Sequence, residues 1–200
     1  MMVCGRYLIE DEDYEIEEII AAAKRNAQDF PQEMAFAPGE IFPGSLAPVI
    51  TAGGAARFMI WGFPNFAAQR RPHINARSET AATLRTFGAA MASRRCLVPA
   101  SGYYEWKSLG AKRKEKYAFR LPGGAALYMA GIYSPDGKFA ILTREAAPEL
   151  AEIHDRMPVI LPKELSGAWL DESPDVMLEA VTQLLYAVST NISEKGLPGV

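Results

Sequence analysis

Apolar residues recur along this chain in short runs that glycine, proline and charged residues interrupt. One longer segment, residues 13–27, instead carries its apolar residues at the i, i+3 and i+4 spacing of an amphipathic helix. Those apolar positions are Ile16, Ile19, Ile20, Ala23 and Ala27. Asp11 or Asp13 can cap the first turn, so we predict a helix that begins near residue 13 and buries one face.

Strands are predicted where polar and apolar residues alternate, or where a short apolar run lies between turn residues. Residues 49–51 and 57–63 are predicted to form a hairpin through Gly53 and Gly54. Further strands are predicted at residues 96–99, 102–107, 117–121, 127–133, 139–143, 159–161 and 187–189. Helices are predicted at residues 79–91, with a break at Gly88, and at residues 162–170 and 174–185. Many short antiparallel strands with interspersed helices indicate an α+β fold.

Length and composition narrow the class of protein. The 200 residues, 49% of them hydrophobic, suffice for one domain with a substantial core, which we expect to span residues 1–200. No apolar run approaches the length that spans a bilayer and no secretory signal begins the chain, so we expect a cytoplasmic protein with no membrane partner. The net charge of −3 gives no overall attraction to nucleic acid, so any such binding must use a local basic face.

The first cysteine lies in the stretch Cys4-Gly5-Arg6-Tyr7. A cysteine at a chain end carries a thiol and an α-amine on adjacent carbons, and an aldehyde can condense with both to give a five-membered thiazolidine. The α-amine has a pKa of about 7.7–8.0, so part of it is nucleophilic near pH 7. A neighbouring cation such as Arg6 favours the thiolate. The alternative is that Cys4 is a small buried hydrophobic residue.

Metal chemistry is not indicated by the cysteines. Cys4 and Cys96 lie far apart, and no Cys-x-x-Cys motif occurs, which argues against zinc. The histidines are His73 and His154, and His73 has no neighbours that suggest more than a structural role.

Three further stretches accompany the Cys4 stretch. They are residues 75–80 (NARSET), residues 95–106 (RCLVPASGYYEW) and residues 154–161 (HDRMPVIL). Together with Trp61-Gly62 and residues 129–133 (MAGIY), and in this order, they resemble the SRAP (SOS response-associated peptidase) family. The resemblance runs essentially end to end. It implies a single α+β domain with a β-barrel-like core of mixed or antiparallel strands and flanking helices. It also implies a protein that binds single-stranded DNA and traps abasic sites without a cofactor.

The resemblance suggests a catalytic group of Cys4, Asn75, Glu105 and His154. Glu105 could hold the α-amine of Cys4 or move its proton, although a structural ion pair with an arginine is an equal alternative. His154 could protonate the ring oxygen of the deoxyribose as the ring opens, or it could be a helix-end histidine bonded to a carbonyl. Asn75 could orient the cysteine or the sugar, although loop asparagines more often stabilise turns.

DNA contacts are also predicted. Arg6, Arg77 and Arg156 would grip phosphates through bidentate contacts. Thr143, at the end of its predicted strand, resembles a phosphate contact of the family.

Aromatic residues near Trp61 offer base stacking. Trp61, with Phe63 or Phe66, could stack on bases that flank the lesion. The alternative is core packing, which we consider better suited to Phe63 than to Trp61.

The implied function is covalent trapping of an abasic site, with a Schiff base to Cys4 followed by thiazolidine closure. Met1, Met2 and Val3 precede Cys4, so either the true start of the chain differs or the protein cleaves the Val3–Cys4 bond itself, with Cys4 as nucleophile. The alternatives are a thiol peptidase that acts on other proteins, and a non-catalytic single-stranded DNA-binding module. We expect a monomer that associates with the nucleoid when it is bound to DNA.

Overall fold

The computed structural model describes residues 5–10, 13–27, 36–65, 71–110, 113–174 and 186–189. Cys4, Phe66 and most of the helix predicted at residues 174–185 lie outside these ranges. The strands are β1 Arg6–Ile9, β2 Gly39–Ile41, β3 Leu46–Thr51, β4 Ala55–Trp61, β5 Asn75–Arg77, β6 Arg95–Ala100, β7 Gly102–Ser108, β8 Lys114–Arg120, β9 Leu127–Tyr133, β10 Lys138–Glu145, β11 Arg156–Pro158, β12 Ile160–Leu161 and β13 Tyr186–Ser189. The α-helices are α1 Tyr14–Asn26, α2 Ser78–Ala81, α3 Gly88–Ser93, α4 Pro148–Ala151 and α5 Ser166–Asp171. None of the helices in the described ranges combines the length and the apolar composition that crossing a membrane requires.

The helix predicted near the start of the chain is confirmed as α1. Asp13 caps it, since one carboxylate oxygen accepts the amides of Glu15 at 3.0 Å and Ile16 at 3.3 Å. Such a cap stabilises a helix by about 1 kcal/mol. The helix buries Ile16, Ile20 and Ala23, which lie at the spacing that predicted this face.

The strands form two sheets. One is antiparallel, in the order β13-β8-β7-β1-β2. The other has eight strands, with β11-β10-β4-β3-β6-β9-β12 in line and β5 paired to β10. It is mixed, because β10 runs parallel to both β4 and β5. The predicted α+β class is confirmed.

The barrel-like character of the core has a specific origin. β10 also pairs with β9, so the path β10–β4–β3–β6–β9 returns to β10. Two links in that path are short: β4 and β10 share two residue pairs, and β3 and β6 pair at Ile50 and Leu97. The sheet therefore curls toward closure without forming a strict barrel.

Aromatic side chains join the two sheets. Tyr103 and Phe119 stack within the first sheet, with ring centroids 4.7 Å apart. Tyr7 of β1 makes an edge contact with Trp61 of β4 at 5.1 Å, and Trp61 stacks on Phe139 of β10 at 6.4 Å. All five rings are buried, and each large apolar side chain stabilises the fold by roughly 1.5–3 kcal/mol. These contacts fix β1 against the second sheet.

The helical stretch predicted over residues 79–91, with a break at Gly88, is interrupted earlier in the chain than predicted. The chain instead forms α2 and α3, with a turn between them. Gly88 begins α3 rather than breaking a helix, and its amide donates to the Leu84 carbonyl at 2.8 Å. A Cβ at position 88 would lie 2.8 Å from the Ala82 carbonyl oxygen, so only glycine fits this close turn.

Candidate functional site

The register of β1 against β7 brings the start of the chain to Glu105. Arg6 lies opposite Tyr104 and Tyr7 opposite Tyr103 in an antiparallel pair. Gly5 precedes Arg6 and Glu105 follows Tyr104, so the chain entering β1 passes next to Glu105. Glu105 is only 2% exposed, which is a costly position for a carboxylate unless it serves a ligand or an ion pair.

The same end of β1 lies close to Asn75. The ring of Tyr7 contacts that of Trp61, and the Trp61 indole N–H donates to the Ile74 carbonyl at 2.8 Å. Asn75 is the next residue and begins β5, where it pairs with Ile141 of β10. Two consecutive contacts thus connect Tyr7, the residue after Arg6, to Ile74, the residue before Asn75.

The structure corrects the stacking role predicted for Trp61. Its side chain is completely buried between Tyr7 and Phe139, and its N–H is used by the Ile74 carbonyl. No ring face is open to a base, so the core-packing alternative describes Trp61. Phe63 is also buried and makes an edge contact with Phe87 at 5.3 Å.

His154 lies in the loop between α4 and β11 and is 6% exposed. Its ring Nδ1 accepts the backbone amide of Arg156 at 3.1 Å, so it is not bonded to a carbonyl as the structural alternative supposed. Burial lowers the pKa of His154 below 6.5, while the nearby Asp155 carboxylate opposes that shift. Asp155 lies 3.0 Å from Nδ1, but its side chain is 80% exposed and its charge is well screened.

Burial favours the neutral form of His154, and the Arg156 amide bonded to Nδ1 favours the tautomer that carries its proton on Nε2. Nε2 is buried and has no hydrogen-bond partner among the described residues. A buried donor without a partner is rare in folded proteins and points to a ligand acceptor.

An ion pair between Lys107 and Glu152 connects the strand that carries Glu105 to the loop that carries His154. Lys107 lies two residues after Glu105 on β7, and side chains two apart on a strand share a face. The Lys107 ammonium is 3.5 Å from the carboxylate of Glu152, which precedes His154 by two residues. Glu152 is 82% exposed, so this contact marks proximity rather than contributing much stability.

A second group of charges surrounds Arg156 at the start of β11. Its guanidinium makes two contacts with the Glu79 carboxylate, at 2.7 and 2.9 Å. Nη2 also donates to the Thr143 carbonyl at 2.6 Å and lies 3.3 Å from the Thr143 hydroxyl. Thr143 pairs with Arg77 in the parallel register of β10 and β5. Arg77, Thr143 and Arg156, all predicted DNA contacts, are therefore neighbours.

The accessibility of these three side chains differs. Arg77 is exposed, whereas Thr143 is buried beneath Arg156. The Arg156 side chain is 13% exposed, and its Nε is buried without a partner among the described residues. Arg156 also holds the pKa of Glu79 below its usual range.

Arg6 lies in a different part of the surface, beside β2. Its guanidinium lies 4.6 Å from the Phe42 ring centroid and 5.2 Å from that of Trp106, and it pairs with Glu40 at 3.2 Å. The Glu40 carboxylate also contacts the ammonium of Lys116. Arg6 is therefore partly neutralised and held between two aromatic rings.

The structure thus places the entry to β1 beside Glu105. It relates this entry to Asn75 through Tyr7, Trp61 and Ile74, and relates Glu105 to His154 through the Lys107–Glu152 pair. It also groups Arg77, Thr143 and Arg156. Cys4 is not described, so its predicted role remains a prediction. Sequence reasoning missed the carboxylates Glu40 and Glu79 as partners of the arginines. Glu79 lies in the quoted 75–80 stretch, whereas nothing in the sequence marks Glu40.

The described part of the chain contains no group of three His, Cys, Asp or Glu side chains arranged to hold a metal ion.

The fold and the buried polar site define an α+β protein with a candidate active site at the start of its first strand. A family model described as SOS response associated peptidase (SRAP) matches residues 3–194, and the chain belongs to this family. It is 31% identical over 185 residues to the abasic site processing protein YoqW of Bacillus subtilis, with 84% of this chain and 80% of YoqW covered. It is 34% identical over 119 residues to the abasic site processing protein YedK of Escherichia coli, with 56% of this chain and 53% of YedK covered. Against YedK, the matched part thus spans about half of the relative's length.

Solved structures share the fold. A protein from Bordetella bronchiseptica, known from an X-ray crystal structure, has a TM-score of 0.70 and 25% identity, with 94% of this chain and 100% of that chain covered. A phage-related protein from the same organism has a TM-score of 0.69 and 26% identity, with 92% and 94% covered.

Proposed function

We propose that this protein processes abasic sites in DNA by binding the damaged single strand and trapping the lesion covalently on Cys4. Relatives such as YoqW and YedK carry the name abasic site processing protein. The observation that carries the proposal is the His154 imidazole, which is neutral, buried and fixed by the Arg156 amide, and whose Nε2 donor has no partner among the described residues. Such a donor suits a sugar oxygen.

The proposed chemistry needs no redox step. The open-chain aldehyde of the abasic sugar reacts with the α-amine of Cys4, which forms an imine and releases water. The Cys4 sulfur then adds to the imine carbon, and its proton passes to the nitrogen to complete a thiazolidine. No bond of the DNA backbone breaks, so the strand remains attached to the protein.

The described residues supply proton transfer and orientation. Glu105 is buried beside Gly5, the residue after Cys4, where a carboxylate can take a proton from the α-ammonium and return it to the leaving water. His154 donates from Nε2 to the sugar oxygen released when the ring opens. Asn75, at the start of β5, holds the aldehyde between them.

The reach of Cys4 fits this arrangement. Two peptide units separate Cys4 from Arg6, so their Cα atoms are at most about 7.6 Å apart. Because Arg6 pairs with Tyr104, Cys4 can reach the surroundings of Glu105 without any rearrangement of β1.

DNA binding is proposed to use Arg77 and the Arg156–Thr143 pair, with Arg6 as a further phosphate contact. Arg77 is the exposed member and needs no displacement of a partner among the described residues. Bidentate arginine contacts hold the strand in register but do not read its sequence.

The α-amine of Cys4 exists only after the Val3–Cys4 bond is cleaved. We propose that this cleavage is autoproteolytic: the Cys4 thiol attacks the Val3 carbonyl, the amine leaves with a proton, and water hydrolyses the thioester. Intact-mass measurement on protein expressed from its own gene is expected to show a chain that begins at Cys4. Protein that always retains Val3 would contradict this step.

The test of the function is incubation of the Cys4-initiated protein with an oligonucleotide that bears one abasic site, followed by a denaturing gel. We expect a heat-stable adduct that Cys4→Ala abolishes, while salt-sensitive binding to the oligonucleotide remains. Cys96→Ala is the matched control and retains the adduct. Cleavage of protein substrates without an adduct would favour a thiol peptidase, and salt-sensitive binding with neither activity would leave a DNA-binding module.

A further inference from the structure

The Glu79 carboxylate contacts the Arg156 guanidinium in the same two-point manner as a phosphate would. Its two carboxylate oxygens lie 2.7 and 2.9 Å from Nη1 and Nη2, which is the parallel, two-point contact that guanidinium also makes with phosphate. Nη2 is further used by the Thr143 carbonyl and hydroxyl. Only Nε of Arg156 has no partner among the described residues.

Accessibility decides which of the two partners can move. The Arg156 side chain is 13% exposed and is tied to Thr143, whereas the Glu79 side chain is 48% exposed. Glu79 stands near the start of α2, a four-residue helix, where a change of side-chain rotamer takes the carboxylate into solvent without moving β10 or β11. The guanidinium thus stays in place while its carboxylate partner can leave.

We propose that Glu79 is a specificity-determining residue that acts as an internal competitor of the DNA phosphate for Arg156. This inference rests on the proposed function, since it assumes that Arg156 contacts a bound strand. A phosphate reaches Nη1 and Nη2 of the guanidinium when it displaces Glu79, which swings toward solvent. Binding of an undamaged strand must therefore offset the loss of the Glu79–Arg156 ion pair, so Glu79 lowers the affinity for such a strand.

Arg6 is also paired with a carboxylate, but the accessibility of the partners is reversed. Arg6 pairs with Glu40 at 3.2 Å, and Glu40 is 29% exposed against 39% for Arg6. Two of the three arginines predicted to bind phosphate are therefore paired with a carboxylate, whereas Arg77 has no such ion pair within the described ranges.

The experiment is a double-mutant cycle with wild type, Glu79→Gln, Arg156→Gln and the double variant, in which binding of a lesion-free single-stranded oligonucleotide is measured at several salt concentrations. An undamaged strand is used so that the covalent step plays no part. We expect Glu79→Gln to tighten binding about three- to tenfold when Arg156 is present, from the loss of a partly exposed ion pair. In the Arg156→Gln background we expect Glu79→Gln to change the binding affinity by less than about twofold.

The salt dependence adds a second readout. Displacement leaves the number of phosphate contacts unchanged, so wild type and Glu79→Gln are expected to have the same slope of log affinity against log salt. Arg156→Gln is expected to flatten that slope by about 0.7, the contribution of one phosphate contact on a single strand. Glu17→Gln, on the exposed face of α1, removes the same charge elsewhere and is the matched control, with less than about twofold effect.

The outcomes separate the two proposals. Equal tightening by Glu79→Gln in both backgrounds means general charge repulsion and overturns the role of Glu79 as a competitor, as does unchanged or weaker binding. Absence of binding by every variant overturns both this inference and the proposed function. Thermal unfolding shows whether each variant is folded, and Glu79→Ala, which is expected to tighten binding in the same way, serves if Glu79→Gln does not fold.

Discussion

The backbone amide of Arg156 donates to Nδ1 of His154 across 3.1 Å. The main chain of Arg156 thus orients the imidazole of the candidate catalytic histidine, while the Arg156 side chain forms part of the predicted phosphate site. The position of the His154 imidazole is therefore coupled to that of the Arg156 guanidinium through the two peptide units that join these residues.

The stability of the protein is expected to depend on pH through its histidines. Burial lowers the pKa of both His154 and His73 below 6.5, so the unfolded state binds more protons as the pH falls below that value. The sign is fixed: the full contribution is present above pH 6.5 and is lost as the pH falls toward the folded-state pKa. One titrating group cannot change the free energy of unfolding by more than about 1.4 kcal/mol per pH unit.

His154→Gln and His73→Gln serve as matched variants for this prediction. Denaturant unfolding between pH 5 and 7.5 is expected to show a shallower pH dependence for each variant than for wild type. A pH profile that neither substitution alters would contradict the assignment of both buried rings as neutral.

Arg77 is expected to contribute one salt-dependent contact to DNA binding. Because its guanidinium is exposed, Arg77→Gln should weaken binding of any single-stranded sequence and flatten the slope of log affinity against log salt by about 0.7. Arg85→Gln, in the exposed turn between α2 and α3, is the control and should leave the slope unchanged. Equal effects of the two substitutions would mean that only net charge matters.

Trp61→Phe is expected to act on stability rather than on base stacking. It removes the hydrogen bond from the indole to the Ile74 carbonyl and leaves space in the core, at a cost of about 1–3 kcal/mol in the free energy of unfolding. The Ile74 carbonyl keeps its bond from the Ile141 amide at 3.0 Å, so β5 stays in place. Unchanged stability together with weaker DNA binding would show that the ring does reach a base.

Cys96 is expected to be inert to alkylating reagents in the folded protein. It is completely buried in β6, and burial raises the pKa of its thiol far above the usual range. Intact-mass measurement of Cys4→Ala after iodoacetamide should show no added mass until denaturant is present. Rapid labelling of that folded variant would place the Cys96 thiol at the surface.

Local patterns predicted many of the elements well. The spacing of Ile16, Ile20 and Ala23 and the cap at Asp13 are properties of one segment, and α1 follows from them. The hairpin of β3 and β4, which turns at residues 52–54, was predicted for the same reason. The strand Arg6–Ile9 was not predicted, because four residues carry too little periodicity to separate a strand from a loop.

Ionic partners and burial could not be predicted in this way. Glu79 and Arg156 are 77 positions apart, and Arg6 and Glu40 are 34 apart, so their pairing exists only after β5, β10 and β11, or β1 and β2, have assembled. For Trp61 the sequence left both base stacking and core packing open, with core packing better suited to Phe63, and the packing of Tyr7 and Phe139 decided for the core.

The sequence by itself determined the family, the α+β class and the residue types that abasic-site chemistry would need, because motifs and periodicity are written along the chain. Only the tertiary structure decided which of those side chains are buried, which arginines form an ion pair with a carboxylate and which nitrogen of His154 accepts a backbone hydrogen bond. Those properties depend on desolvation and on distances between atoms remote in sequence, and they come into existence when the two sheets pack together.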